Sequence, residues 1–451
     1  MSLPSPSYND DRKSFAYPTV HKRWPSIITL AIEDLEKHAK ENPDTEGCVE
    51  FVTGHLKTLL SNFKEDKPVD AFTDEDVQAK PELKIYNDEL KRFNDAKLVT
   101  WQTGPWLYLE CYLYQLISVW FSKTKKLQKY DIFEPAKTGA FKLSGTGVVE
   151  LCQRVKLLSQ QLAEKEADEQ ALGLLFTEFI DISLWGNATD LSLLAGNFSL
   201  EDIKSLQGAE VRKKNEEKII VNDTEAAWKH YLSSKRERID IVLDNSGFEL
   251  FADLCLTLFL LEAKLVKKVV VHCKQIPWFV SDTMPKDFDL ILAQLEDTTF
   301  FDEVKEDKAS QEAIKFFLDK LKQYTQNQQI GVQSHQFWTS CANYWDIPKI
   351  KDLYEELQKS NLIIFKGDLN YRKLTGDLHW DTTTPFTTAI QDLASSGLPV
   401  LLLRTCKADV VVGLPAGLNE KLIEEYKSQG NEIGEFWTAS GKWAVISFSR
   451  G

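Results

Sequence analysis

Four short stretches gather side chains able to act on a charged substrate: "DNSGFE" at 244–249, "SD" at 281–282, "KGDLNYR" at 366–372 and "RTCK" at 404–407. Asp244, Asn245 and Asp282 are hard oxygen donors, the kind that Mg²⁺ and Mn²⁺ take together with water and substrate oxygens. Lys366, Arg372, Arg404 and Lys407 are cations of the kind that hold phosphate. A divalent metal beside a cationic cradle is a layout for phosphoryl chemistry. Gly247 stands where a helix can begin, so free backbone N–H groups there can also face an anion.

Plainer roles compete with that reading. Asp244 and Asn245 suit the cap of a helix starting near Phe248, and Asp282 suits a cap before "TMPKDF". "KGDLNYRKL" suits a solvated turn whose cations face water. What tips the balance is recurrence, because polar clusters follow several apolar runs in turn.

Those runs are the elements that must position the chemistry. From residue 238 onward come "IDIVL", "KKVVVHC", "NLIIFKG", "PVLLLRT" and "WAVISFS", separated by amphipathic helices such as "FELFADLCLTLFLLEAKL" and "QEAIKFFLDKLKQYTQ". Near-continuous apolar strands alternating with helices predict an α/β domain over 238–451, with a mostly parallel sheet covered on both faces. Ligands of such sheets bind beyond the carboxyl ends of the strands. Upstream, helical spacing recurs from Pro25 and at 48–63, 105–124, 148–165 and 168–182, predicting a helical domain over 21–200. Residues 1–20 read as a mobile arm and 201–237 as a charged connection.

A net charge of −14 argues against a nucleic-acid or anionic-membrane partner and leaves a small-molecule substrate. A monomer is the expected state. Seven cysteines without a CxxC pair suit reduced thiols in the cytoplasm, the nucleus being the alternative. "MSLPSPSYNDDRKSF" has no apolar core and predicts no secretory signal. "PWLYLECYLYQLISVWFS" carries Glu110 and Gln115 and reads as a buried helix rather than a membrane span. "GTGVVE" at 145–150 lacks the third glycine and the preceding strand of a dinucleotide loop. His272 reads as a packed core residue, and Trp380 as a candidate roof for the site.

Taken jointly, "DNSGFELFADL", "PWFVSDT", "FKGDLNYRKL" and "RTCK" resemble the DUF89 family of metal-dependent damage-control phosphatases. The chain is most similar to the eukaryotic subgroup marked by an RTxK signature, whose members carry both methyltransferase and sugar phosphate phosphatase names, and looks like a fungal member. "YPTVHKRWPSIIT" and "LWGNATDLSLL" extend the likeness over nearly the whole chain. The resemblance implies a three-layer αβα sandwich with a doubly wound sheet and an N-terminal helical bundle. It implies a divalent cation, with Mn²⁺, Co²⁺ or Ni²⁺ favoured and Mg²⁺ a further option. The substrates implied are phosphometabolites such as fructose 1-phosphate and fructose 6-phosphate.

The family's metal ligands fall on Asp244, Asn245 and Asp282, which with Lys407 form the implied catalytic set. Its substrate contacts fall on Arg23, Glu249, Asp368, Leu369, Asn370, Tyr371, Arg372 and Lys407, with Asn187 of "LWGNATDLSLL" as a pocket-lining residue. Cys406 takes the variable position of RTxK, which argues against a cysteine nucleophile. Water activated near the metal is the expected nucleophile. Attack by Asp244 through an acyl phosphate ranks below it, since "DNSG" lacks the second Asp of a DxD signature. A carboxyl methyltransferase using S-adenosylmethionine is the second reading, ranked lower because no glycine-rich loop follows the first strand. A non-catalytic scaffold is the third. If Arg23 reaches the phosphate, the helical domain must close part of the pocket.

Overall fold

The computed structural model describes residues 3–165, 167–186 and 216–451. Seven strands form one sheet: β1 (Ile219–Asn222), β2 (Arg238–Val242), β3 (Lys268–Cys273), β4 (Ile330–Ser334), β5 (Leu362–Lys366), β6 (Val400–Thr405) and β7 (Ala444–Ser449). Their order is β1-β7-β6-β5-β2-β3-β4. The run from β6 through β5, β2 and β3 to β4 is parallel, so the carboxyl ends of these five strands share one edge. The strand β7 is antiparallel to β6, and β1 pairs parallel with β7.

Alternation along the central strands builds both faces. Ile239, Ile241, Leu362, Ile364, Leu401 and Leu403 enter one core, with the helices α5 (Gly145–Glu164), α6 (Glu169–Trp185), α7 (Phe248–Glu262) and α8 (Lys308–Gln326). Val242, Ile363, Phe365, Val400 and Leu402 enter the opposite core, covered by shorter segments between Phe337 and Leu357 and between Tyr371 and Leu398. Residues buried on two faces cannot carry the polar alternation of a half-wet strand, which is why these runs read as continuous. The three-layer arrangement is the one expected.

A third core belongs to the helices α1 (Trp24–Glu41), α2 (Glu46–Lys64) and α3 (Trp106–Ser122). Almost every side chain of α3 is buried, Glu110 and Gln115 included, so its apolar length serves packing. Among the described residues no helix is long and apolar enough to cross a membrane. Trp278, Leu369 and Ala408, from the segments that follow β3, β5 and β6, join this helical core. The helical unit is therefore seated on the carboxyl edge of the sheet, next to a further short helix α4 (Glu134–Lys142).

Packing divides the chain differently from the sequence boundaries. Helices α5 and α6 lie inside the expected helical domain 21–200, yet their apolar faces belong to the sandwich core. The expected connection 201–237 contains β1 and a helix, Thr224–Leu232, whose Ala227 and Tyr231 are fully buried. The arm 1–20 is not loose where described. Pro6 bridges to Leu378 and Tyr8 to Pro105, while Asn9 and Ala16 are fully buried. Polar side chains and proline made these segments look solvent-facing; long-range hydrogen bonds, which leave no periodic trace, hold them down.

Candidate functional site

The parallel strands run in the order β4-β3-β2-β5-β6, so connections leaving β2 and β5 diverge, and a crevice opens between their carboxyl ends. Asp244 stands just past β2 and Gly367 just past β5. Gly367 has φ +86, and a Cβ there would lie 1.9 Å from Asp244 Oδ2. Only glycine lets this backbone pass the carboxylate. Gly247, with φ +67, lets the chain turn directly into α7, which carries Glu249 one turn on.

The loop after β3 is zipped onto the loop after β2. Asn245 and Asp282 face each other in an antiparallel bridge. Thr283 N donates to Asp244 O at 2.7 Å, and Ser246 N to Ser281 O at 2.7 Å. The Ser281 hydroxyl donates to Asn245 Oδ1. These bonds bring Asp282 beside Asp244. The Asn245 amide then donates to Asp244 Oδ2 and Glu249 Oε2, each at 2.8 Å.

Two of the buried carboxylates in this corner, Asp244 and Asp282, are not fully answered by the cations around them. Asp244, Glu249 and Asp282 are all buried. Burial, then the Glu249 and Asp282 carboxylates, push Asp244 well above the usual carboxylate range, and Lys274 and Lys407 recover only part. Burial also pushes Asp282 up, against Lys274 and Lys137. Among the described residues Asp282 Oδ2 has no hydrogen bond, and its ion-pair partner is Lys274 Nζ at 3.5 Å. Buried carboxylates in this condition fit a cation. Among the described residues no three His, Cys, Asp or Glu side chains form a metal-holding group. The set here is instead two carboxylates and an amide, and Asn245 must present its oxygen rather than its nitrogen to serve.

The expected phosphate cradle is mostly spoken for. Lys366 Nζ binds Asp253 Oδ1 at 2.8 Å and Ser183 O at 2.7 Å, and also reaches Glu249 Oε1 at 3.4 Å, so it neutralises carboxylates from behind the crevice. Arg372 pairs with Glu110 at 2.8 Å and Asp377 at 2.9 Å, with its guanidinium over the Trp106 ring. It clamps the helical unit to the sandwich and offers no free charge to a substrate. Arg404 pairs with Asp368 at 2.7 Å. Lys407 and Arg23 are different: neither side chain has a hydrogen-bond or ion-pair partner among the described residues. Lys407 is half-buried and Arg23 exposed. Lys407 is near enough to pull on Asp244, and Arg23 on Tyr114.

Within the run Asp368–Arg372 the roles split. Asp368 Oδ1 accepts from the Lys407 backbone N–H at 3.0 Å as well as from Arg404, and so shapes the loop that presents Lys407. Leu369 packs into the helical core. Asn370 is a fully buried strut. Its amide donates to Val242, Leu243 and Lys366 carbonyls, and its oxygen accepts from Lys274 and Tyr344. Tyr371 points into the far core, where its hydroxyl accepts from Val412 N at 2.8 Å. The side chains of Leu369, Asn370, Tyr371 and Arg372 therefore support the crevice from behind, and any substrate contact in this run falls to Asp368 and the backbone. Trp380 donates to Thr375 O and packs on the far core, away from the expected roof. Buried His272 bonds Asp240 at 2.9 Å. Asn187 lies outside the described residues.

Three contributors escaped the sequence reading. Lys274 is fully buried and donates to Leu243 O and Asn370 Oδ1, both at 3.1 Å. Lys137 of α4 donates to Asp282 O at 3.0 Å and pairs with Asp131 and Asp287. Ser281 holds Asn245. Lys274 had the same signal as Lys366, a lysine closing an apolar run; Lys137, on an amphipathic helix, had none.

Residues 19–422 match the damage-control phosphatase ARMT1-like domain. The chain is 35% identical to damage-control phosphatase ARMT1 of Danio rerio, over 97% of this chain and 95% of that one. It is 33% identical to the Homo sapiens protein of the same name, over 99% and 98%. A DUF89 family protein from Pyrococcus horikoshii aligns at 14% identity and a TM-score of 0.35, covering 84% of this chain and 92% of that one.

Proposed function

The chain belongs to the ARMT1-like damage-control phosphatase family, and from that premise we propose that it hydrolyses small phosphate monoesters, sugar phosphates such as fructose 1-phosphate and fructose 6-phosphate among them, with a divalent cation. The observation that carries the proposal is the under-compensated pair Asp244 and Asp282 at the strand crossover, with Glu249 and Lys407 beside it. Asp244, Asp282 and the Asn245 oxygen would hold the cation. When bound, a Mn²⁺-, Co²⁺- or Ni²⁺-type ion supplies charge neutralisation at the ester and lowers the pKa of water.

The rest is work for the chain's own groups. Lys407 stabilises charge that develops on the phosphoryl oxygens, held in place by Asp368 through its backbone N–H. Arg23 closes the open side as a second cation. Glu249, fixed by Asn245 on the first turn of α7, accepts from a sugar hydroxyl. Lys274 holds the base of the crevice by joining the ends of β2 and β3 to Asn370.

The direct test is phosphate release from fructose 1-phosphate with Mn²⁺, with excess EDTA, and for Lys407→Ala. Release should vanish with EDTA and return with added Mn²⁺. Lys407→Ala should lower kcat/KM on the order of 10²-fold, as loss of one charge-stabilising donor does. Release that persists through EDTA would end the metal-dependent reading. Micromolar binding of S-adenosylmethionine by calorimetry, with no phosphate release, would promote the methyltransferase reading instead.

A further inference from the structure

We propose that residues 3–23 form a strap that fixes Arg23 over the mouth of the crevice, and that Asp409 is the positioning residue anchoring it. The proposal rests on the phosphatase reading for its kinetic consequences, though not for its structural ones.

The strap crosses both units before it reaches Arg23. Ser5 O accepts from His379 N at 2.8 Å on the sandwich side. Ser7 O accepts from Trp106 N at 2.9 Å on the helical side, and Asn9 N donates to Gly104 O at 3.0 Å. Asn9 also donates from its amide to Trp101 O at 2.8 Å. The chain then meets Asp409, two residues beyond Lys407. The Phe15 backbone N–H donates to Asp409 Oδ1 at 2.8 Å, and the Ser14 hydroxyl donates to Asp409 Oδ2. Asp409 is half-buried and forms no ion pair among the described residues, so this carboxylate serves the strap.

From that anchor the backbone coils without a break through Ala16–Pro18 and Thr19–Arg23 into α1. Arg23 therefore lies on one continuous helical rod that Asp409 holds eight residues upstream, at Phe15. Its far end is held too, since Trp24 Nε1 donates to Glu110 Oε1 at 3.3 Å, and Glu110 is the partner of Arg372. Arg23 adjoins Trp24 and so the Glu110 end of this contact; Tyr114 follows one turn further along α3, its ring stacked on Phe279 of the Asp282 loop at 4.9 Å. One loop therefore presents Lys407 directly and sets Arg23 through Asp409. A flexible arginine on an untethered arm would lose side-chain and backbone freedom on gripping phosphate; the strap removes most of that cost beforehand.

The test uses the full chain, with Asp409→Ala, Arg23→Ala, the double variant and the milder Ser14→Ala. Steady-state hydrolysis of fructose 1-phosphate with Mn²⁺ and hydrogen exchange over residues 10–23 are both read. Asp409→Ala should raise KM about 5- to 20-fold with kcat within about twofold, the pattern of lost substrate binding. It should also speed exchange over the strap. Arg23→Ala should raise KM at least as much. The double variant should match Arg23→Ala alone, since residues acting through one contact are not additive. Ser14→Ala should follow Asp409→Ala at smaller size, and decides the matter if Asp409→Ala does not fold. Unchanged exchange, additive effects on KM, or a fall in kcat alone would overturn the proposal. If the wild type releases no phosphate from any small ester, the phosphatase reading falls separately, and exchange over the strap alone decides whether Asp409 anchors it.

Discussion

Strand β2 supplies two buried aspartates four residues apart, and their surroundings are opposites. Asp240 is fully buried, and every neighbour answers its charge. Arg238 donates to both its oxygens at 2.6 and 2.8 Å, His272 meets it at 2.9 Å and Ser360 donates at 2.9 Å. Burial alone would raise its pKa, and the bonds from His272 and Arg238 bring it below the ordinary value instead. Asp244, just beyond the strand, has carboxylates for neighbours and ends up well above it. A buried ion pair offsets its desolvation only where geometry and further hydrogen bonds are good, as at Asp240, and crowding like charges offsets nothing. Crowding that survives at a strand crossover marks a place kept for a ligand.

The largest effect expected of this contrast is kinetic. Asp244→Asn keeps the shape and removes the charge. It should cut phosphate release on the order of 10³-fold, more than the loss of a single hydrogen-bond donor. In EDTA its thermal midpoint should hold or rise, because a like charge has left a buried cluster. A variant that loses its fold along with its activity would make Asp244 as structural as Asp240 and erase the distinction.

Arg238→Met probes the other half. It strands Asp240 in the core with His272 and Ser360, and it releases Glu356, which Arg238 holds at 2.7 Å. Breaking one side of a buried pair costs about 3–5 kcal/mol, and the urea midpoint should fall accordingly. Turnover per folded molecule should change by less than about twofold, since nothing in that cluster reaches the crevice. A tenfold loss of turnover at full stability would show that the two clusters communicate.

The contrast also explains what was legible beforehand. Asp244, Asn245 and Asp282 were readable because each follows or faces the end of an apolar run, where a charge is conspicuous. Asp240 sits inside "IDIVL" and drew no notice, although it is the more deeply buried. The central strands were plain, and the two edge strands were not. In β1 and β4 only the first residue is fully buried, so polar side chains break the apolar run. Cations were misjudged most. Sequence shows that Lys366, Arg372 and Arg404 exist, but whether a cation is free depends on carboxylates such as Asp253, Glu110 and Asp377, which no local pattern ties to them.

The smallest effect is the most discriminating, because the two clusters should respond to pH with opposite signs. Asp240 is held below its ordinary value, and Glu356 is pushed down to about 2, mainly by Lys359, against burial and with help from Arg238. Groups of this kind bind fewer protons folded than unfolded. Their contribution is present above the unfolded values of about 4 and is lost as pH falls toward about 2. Asp282 is raised to about 7 and Asp244 upward too. These bind more protons folded than unfolded, so their contribution is full below about 4 and is lost as pH rises through about 7. Urea midpoints measured in EDTA should therefore decline on both sides of a mildly acidic optimum. Burial also raises Asp181 to about 7 and Asp253 and Asp409 to about 6, so Asp244→Asn should lessen the alkaline decline without abolishing it, and Arg238→Met should act on the acid side alone. Mn²⁺ added to the wild type should also lessen the alkaline decline, since a bound cation favours the ionised carboxylates, and unlike Asp244→Asn it should restore turnover as well. An alkaline limb that neither Asp244→Asn nor Mn²⁺ alters would belong to Asp181, Asp253 and Asp409 instead, and the case for a cation between Asp244 and Asp282 would lose its support from stability.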